Sequence, residues 1–222
     1  MQEPLVSVVM PAYNATSHGF FDRAIKSVLN QTFQDWELII VDDGSTDDTE
    51  LVCKKYLYDW RVRYVRQNNA GMAAARNNAV KSAFGSIIAF LDHDDEWLPD
   101  KLRICLDALK ANPNASMAYH DMDYGDMVFT CAEPAIKNVI LDSPACISSV
   151  VVTRDVIGKV GGFREDCDFC ADWDLWIATT NCTTSHLFII TVIEQLIFWR
   201  FSSESPFGTS CIHSARPRCS LC

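Results

Sequence analysis

Basic residues are scarce in this 222-residue chain: 19 lysines and arginines stand against 29 aspartates and glutamates, for a net charge of −10. So acidic a balance argues against a nucleic-acid partner and against electrostatic docking on anionic lipid. Any phosphate-bearing ligand must therefore find positive charge locally, most cheaply as a metal ion. Long apolar runs are also missing. The greasiest late stretch, HLFIITVIEQLIFWRF, is broken by Glu194, Gln195 and Arg200, which excludes an integral membrane span. Met1 to Pro4 lacks a basic leader region, and LVSVVM is too short for a leader core. The expected address is the cytoplasm, with peripheral association at the inner face of a membrane left open. VMPAYNATSHGF has neither the glycines nor the basic residues of a triphosphate-holding loop, which disfavours nucleotidyl transfer. There is no internal repeat or low-complexity tract, and 49% hydrophobic with 22% charged residues is ordinary for a globular domain.

Cysteine is the residue in excess, at ten. Cys53 and Cys105 fall in helical patterns and read as small core side chains. Cys167-x-x-Cys170 and Cys219-x-x-Cys222 have the local spacing of zinc ligands, but almost fifty residues separate the pairs, so a structural zinc is the lesser reading.

The first 120 residues alternate strand and helix signals. LVSVVM, WELIIV, VRYVR and SIIAFL read as strands. FDRAIKSVLNQT carries helical spacing through Phe21, Ile25, Val28 and Leu29. Ser45 precedes TDDTELVCKKYL as an N-cap, MAAARNNAVKSAF is an Ala-rich helix, and Pro99 opens LPDKLRICLDALKAN. Continuous apolar strands separated by helices predict an α/β fold: a mainly parallel sheet with helices on both faces and ligands at the carboxyl ends of the strands. From Ala115 the pattern changes to short runs (ASMAYH, DMVFT, KNVIL, ISSVVV). A helix over 172–180 and further strands in HLFII and VIEQLIFWRF follow, as expected of a mixed-sheet extension.

Three strand ends carry chemistry: PAYN after the first, DDGSTDD after the second and DHDD after the fourth. In GSIIAFLDHDDEWLPDKL an apolar strand runs into Asp92, Asp94, Asp95 and Glu96. Four acids in five positions repel one another unless a cation offsets them, or they are solvated carboxylates at a helix entrance. The residues alone leave both readings open.

Taken in order, VSVVMPAYN, ELIIVDDGSTDDT, NAGMAAARNNAV, IAFLDHDDEWLPDKL, GGFRE and ADWDLW resemble the family 2 glycosyltransferases, inverting enzymes with the GT-A (Rossmann-like) fold, from Leu5 to Trp176. The resemblance implies one domain over residues 1–201, with a nucleotide-binding half (1–120), an acceptor-binding half (121–201) and an irregular tail (202–222). It implies a nucleotide-sugar donor, most simply a UDP-sugar, and a hydroxyl acceptor on a cell-envelope glycan or a lipid-linked glycan. Asp92-His93-Asp94 matches the family's Asp-x-Asp, with Asp94 as ligand to Mn²⁺ or Mg²⁺ and Asp92 nearer the ribose or sugar. Pro11, Ala12, Tyr13 and Asn14 match the first nucleotide-binding turn, Asp42 and Asp43 the second, and Arg76 an arginine that reaches the nucleotide. Asp172 matches the catalytic base. Hard cations prefer carboxylate oxygen, and single displacement needs a carboxylate to take the acceptor's proton, so the chemistry agrees.

The chain also departs from the family. Ala171 stands where relatives carry Glu, and Phe198-Trp199-Arg200-Phe201 only partly matches the Tyr-Arg-x-His ending. The Gln-x-x-Arg-Trp motif of polymer-making relatives is absent, which implies a single transfer. The competing expectation is a degenerate sugar-nucleotide-binding module without turnover.

Overall fold

The computed structural model describes residues 3–120, 122–123, 128–129, 146–167, 170–181, 188–192 and 197–199. Its first half is built from β1 (Val6–Ala12), α1 (Phe20–Leu29), β2 (Trp36–Asp42), α2 (Thr49–Lys54), β3 (Val62–Arg66), α3 (Met72–Ser82), β4 (Ile87–Phe90), β5 (Asp95–Trp97) and α4 (Lys101–Ala111). Then come β6 (Ala115–His120), β7 (Met122–Asp123), β8 (Val128–Phe129), β9 (Val151–Thr153), α5 (Arg154–Val160), α6 (Ala171–Asn181), β10 (Phe188–Val192) and β11 (Ile197–Trp199).

Every residue of β1 and β2 is buried, which explains why both read as unbroken apolar runs rather than alternating ones. Their side chains divide by the period of two. Val6, Val8, Met10, Leu38 and Ile40 join Phe21, Ile25 and Val28 of α1 and Leu102 and Cys105 of α4 on one face. Val9, Ile39 and Val41 meet Ala73, Ala75 and Ala79 of α3 and Trp176 of α6 on the other. The alanines on the buried side of α3 let that helix lie close to the sheet.

The main sheet has seven strands in the order β10-β6-β9-β4-β1-β2-β3. β9 runs antiparallel to both β4 and β6, while the other pairings are parallel. The chain moves outward from β1 to β3, then returns across β1 to β4. β1 and β4 are thus neighbours with their connections leaving in opposite directions, the arrangement that opens a crevice at the carboxyl ends of an α/β sheet. A second sheet, β5-β11-β7-β8, flanks that edge, with Phe198 opposite Glu96.

The opposite, amino edge is held by a buried carboxylate. Glu37 Oε1 accepts from the Ser7 hydroxyl (2.6 Å) and from the Phe84 N–H (2.7 Å), and Glu37 Oε2 accepts from Arg63 (2.7 Å). Gly85 N–H in turn donates to Ser7 Oγ at 2.8 Å. A Cβ on Gly85 would stand 2.6 Å from the Ser7 nitrogen, so no side chain fits there. Three strands and the connection from α3 to β4 converge on this group.

The expected strands and helices of the first half are present, with two corrections in that half and one beyond it. Pro99 does not lie in the first turn of α4, which begins at Lys101 after Asp100. Ser45 does not cap α2, which begins at Thr49. Asp47 organises that entrance, accepting from Thr16 N–H and hydroxyl (3.1 and 2.6 Å) and from Thr49 N–H and hydroxyl (3.0 and 2.5 Å). ISSVVV is not one strand either: Ile147–Ser149 form a 3-10 turn, and β9 starts at Val151. The strand expected at KNVIL, the tail 202–222 and Cys219-x-x-Cys222 lie outside the described residues. Among those described, no helix is long and apolar enough to cross a membrane.

Removing the Glu37 carboxylate orphans buried donors and the Arg63 charge together. Glu37→Ala is expected to cost about 3 kcal/mol of unfolding free energy. Glu37→Gln, which keeps the acceptor oxygen, is expected to cost roughly half as much. Urea denaturation of the two variants at neutral pH measures both, and equal losses would deny the carboxylate's charge a role.

Candidate functional site

The crevice between β1 and β4 receives the sequence-predicted residues from several elements. At the end of β1, Pro11 and Ala12 are buried strand residues paired with Val41 and Asp42, whereas Tyr13 is 42% exposed. Asn14 takes a positive φ of 47°, a conformation that asparagine tolerates better than most residues. Its N–H donates to Ser45 Oγ (2.9 Å), and its side-chain oxygen accepts from Thr46 N–H (2.8 Å). Asn14 and Ser45 therefore join the ends of β1 and β2, the work that displaces Ser45 from capping.

Asp42 and Asp43 are both buried and both engaged. Asp42 Oδ1 accepts from Ser45 N–H (2.8 Å), and its Oδ2 accepts from the Tyr64 hydroxyl (2.5 Å) and Arg66 (3.1 Å). Asp43 Oδ1 accepts from the Gln67 amide and Ala70 N–H, and Oδ2 from Gly71 N–H, all at 2.8 Å. A carboxylate offers about four acceptor directions, so Asp43 Oδ2 keeps one direction open. Gly71, with φ of 94°, lets the chain turn from this contact into α3.

Arg76 on α3 is 8% exposed and donates to Asp92 Oδ1 at 2.7 Å. Its guanidinium also lies 5.6 Å from the centre of the Phe163 ring, in range of a cation–π contact. Asn77, next along the helix, clamps the loop that carries Phe163. Its amide donates to Phe163 O (2.8 Å) and Glu165 Oε1 (2.9 Å), while its oxygen accepts from Phe163 N–H (2.8 Å).

The acidic turn after β4 is shaped from beneath by Ser148. The Ser148 hydroxyl accepts from Asp92 N–H and its carbonyl from Trp97 Nε1, both at 2.9 Å. Asp94 is exposed. Asp95 is 2% exposed, with one carboxylate oxygen lacking any partner. Burial, followed by the charges of Asp94 and Asp92, pushes the Asp95 carboxyl well above the usual carboxylate range. Glu96 makes only a loose pair with Arg23 at 3.8 Å, as befits a solvated acid. His93 sets its ring edge-on to Phe21, with ring centres 6.5 Å apart.

Asp172 sits in the first turn of α6 and faces the same crevice, near enough to feel the charges of both Arg76 and Asp92. Burial pushes its carboxyl above the ordinary range; the Trp173 N–H at 2.8 Å and Arg76 pull against this, and Asp92 adds to it. Ala171 is 2% exposed, so it leaves no polar group beside Asp172. Asp174 points to Arg164 at 3.4 Å.

Asp92, Arg76 and Asp172 are thus brought together, with Asp94 exposed at the rim. Among the described residues no three Asp, Glu, His or Cys side chains form a ready-made metal cage. Two carboxylates with open directions fit a hard divalent cation that completes its shell with substrate phosphates and water. Ser148 and Asn77 were missed in the sequence. A serine in an apolar run and an asparagine beside an arginine have no signal apart from the loops they hold.

Comparison with known proteins places this geometry. The profile of Glycosyl transferase family 2 matches residues 7–138. Chondroitin synthase of Escherichia coli is 41% identical over 181 residues, 78% of this chain and 26% of that protein. The UDP-Glc:alpha-D-GlcNAc-diphosphoundecaprenol beta-1,3-glucosyltransferase of Escherichia coli is 41% identical over 120 residues, 54% of this chain and 46% of its own length. The chain therefore spans less than half of either relative. Among solved structures, S. aureus TarS 1-349 in complex with UDP-GlcNAc superposes with a TM-score of 0.74 at 19% identity, over 90% of this chain and 59% of that one. The mannosyltransferase PcManGT from Pyrobaculum calidifontis, in complex with GDP-Man and Mn²⁺, gives 0.67 at 19% identity, over 94% and 59%. These likenesses confirm the GT-A fold. With the ordered motifs, the crevice at β1 and β4 and the profile match, the chain belongs to glycosyl transferase family 2.

Proposed function

We propose that this chain is the donor-binding and catalytic domain of a metal-dependent, inverting glycosyltransferase that moves a sugar from a UDP-sugar to a hydroxyl of a cell-envelope or lipid-linked glycan. The observation that carries this reading is the position of Asp172, a half-buried carboxylate held beside the Arg76–Asp92 pair on the edge where the family binds nucleotide sugars. UDP and UDP-GlcNAc in the TarS complexes, and UDP-Glc in the name of the Escherichia coli glucosyltransferase, favour uridine as the donor base.

In this reading Tyr13 and Asp43 border the base and ribose, and Asp92 and Asp94 meet the sugar and diphosphate. Asp94 would hold Mn²⁺ or Mg²⁺, which when bound neutralises charge on the departing diphosphate. Arg76 orients Asp92 through their contact at 2.7 Å. Asp172 accepts the proton of the acceptor hydroxyl as its oxygen attacks the anomeric carbon and the carbon–oxygen bond to the diphosphate breaks, which inverts the configuration. The buried, apolar Ala171 favours one alternative, a module that binds the donor without turnover.

Calorimetric titration of UDP with and without Mn²⁺ is expected to show binding that needs the metal. Asp94→Asn is expected to weaken it at least about tenfold, the scale on which loss of one carboxylate ligand and its charge acts. Asp172→Asn is expected to leave UDP affinity within about twofold and to lower transfer by roughly 10³-fold, the range of a lost general base. Metal-dependent binding without transfer or donor hydrolysis would establish the non-catalytic module instead.

The Asp172 carboxyl is raised, so it gains its proton at a higher pH than an ordinary aspartate, and the protonated form is not a base. Transfer rate is accordingly expected to fall in acid with a midpoint above the usual carboxylate value of about 4. Measuring kcat/KM across pH tests this; a rate independent of pH down to that value would exclude Asp172 as the base.

A further inference from the structure

Cys53 and Cys105 are buried thiols of the core, as their helical positions suggested. Cys167 and Cys170 are different. They lie on the loop between Phe163 and α6, partly buried, with their sulfurs 3.0 Å apart. Each end of this loop is tied to the site. Cys167 N–H reaches back to Arg164 O (3.4 Å), and Cys170 O accepts from Asp174 N–H (2.9 Å), the first hydrogen bond of α6. Arg164 grips Asp166 (3.0 Å) and Asp174 (3.4 Å), fastening the loop to the first turn of the helix. Upstream, Phe163 and Glu165 are clamped by Asn77. Asp172 is in the same first turn, two residues beyond Cys170. No side of the mechanism above uses either thiol.

We infer that Cys167 and Cys170 form a dithiol site that a low-molecular-weight disulfide, such as glutathione disulfide, closes reversibly, and that closure slows transfer by moving Asp172. The sulfurs need to approach by about 1 Å to reach the length of a disulfide bond, near 2.05 Å. One cysteine thiolate attacks a sulfur of glutathione disulfide and expels a glutathione thiolate, which leaves a mixed disulfide. The second cysteine thiolate attacks the protein sulfur of that bond and expels the other glutathione. The pair loses two electrons and two protons, and two glutathione thiols carry them away. Because the Asn77 clamp fixes the upstream side, the displacement falls on Cys170 and the first turn of α6. A shift of about 1 Å in a group that must face the acceptor hydroxyl reduces rate by as much as 10²-fold. The effect on rate rests on Asp172 being the base, whereas formation of the bond does not.

The test uses the whole chain, incubated with excess glutathione disulfide and then with dithiothreitol. After thiol blocking, cleavage before aspartate yields Asp166–Cys167 and Asp168–Ala171. The expected product of oxidation is these two peptides joined, lighter by two hydrogens than their sum, and separated again by dithiothreitol. Transfer is expected to fall by roughly 10- to 100-fold on oxidation and to recover on reduction. UDP affinity is expected to change less than twofold, a scale too small to account for that loss. Cys170→Ser is expected to keep the reduced rate and to lose the response. Absence of the joined peptides, or one zinc ion bound per chain through both cysteines, would overturn the dithiol site. Joined peptides with an unchanged transfer rate would overturn the control of Asp172. The mass measurement decides on the bond even if the reduced protein transfers no sugar, so that failure is separate from failure of the proposed activity.

Discussion

Arg76 is buried where Asp92 and Asp172 converge, and its charge offsets theirs where little water reaches. Carboxylates brought together with little solvent would protonate or move apart, and an unpaired buried guanidinium would be as costly. Each side therefore needs the other. β4 can end in a run of acids because α3 presents an arginine to the first of them at 2.7 Å. α6 can place an aspartate nearby because the same guanidinium reaches it electrostatically. The packing serves this arrangement. The alanine face of α3 brings the helix close to β1 and β2, which sets the depth of Arg76, and Phe163 and Trp176 close the space beneath it.

What the sequence made legible follows from how far each signal reaches along the chain. Continuous apolar runs identified β1, β2 and β4 because strands buried on both faces have no polar alternation to confuse them. The carboxyl-edge position of Asp42, Asp43, Asp92 and Asp94 followed from strand direction. Contacts between distant side chains were not legible. Asp42 and Asp43 look alike in sequence, yet Asp42 uses both of its oxygens on Ser45, Tyr64 and Arg66, whereas Asp43 holds the turn into α3. Ser45 stands four residues before the first helical residue of α2, and the decision between capping and bridging was made by Asn14, thirty-one positions away. Ser148 was invisible for the same reason: its partners are Asp92 and Trp97, more than fifty positions upstream.

The two edges of the sheet treat buried charge in opposite ways. At the amino edge, Glu37 has a donor for each oxygen and a neighbouring arginine, and the cluster is complete without a ligand. At the carboxyl edge, Asp95 keeps an oxygen without a partner, and Asp43 keeps an open acceptor direction. The first arrangement favours the folded chain. The second leaves interactions unmade, as a site must if binding is to gain from making them. The same chain thus carries a closed polar cluster at one edge of the sheet and an open one at the other, separated by the length of β1 and β2.

Asn77 ties the Phe163–Glu165 segment to α3 through both a backbone donor and a backbone acceptor, and a Cβ at Gly162 would stand 2.6 Å from its side-chain oxygen. Mechanically, that segment is a rigid extension of α3 and not a loop in its own right. A wall of the crevice built on α3 cannot swing outward without unstitching the Asn77 amide from a peptide unit. Breathing at this edge is taken up before the splint, at the positive-φ pair Gly161–Gly162. α3 and the Phe163–Glu165 segment accordingly travel as one body, and the Arg164–Asp174 pair is what couples that body to the leading turn of α6.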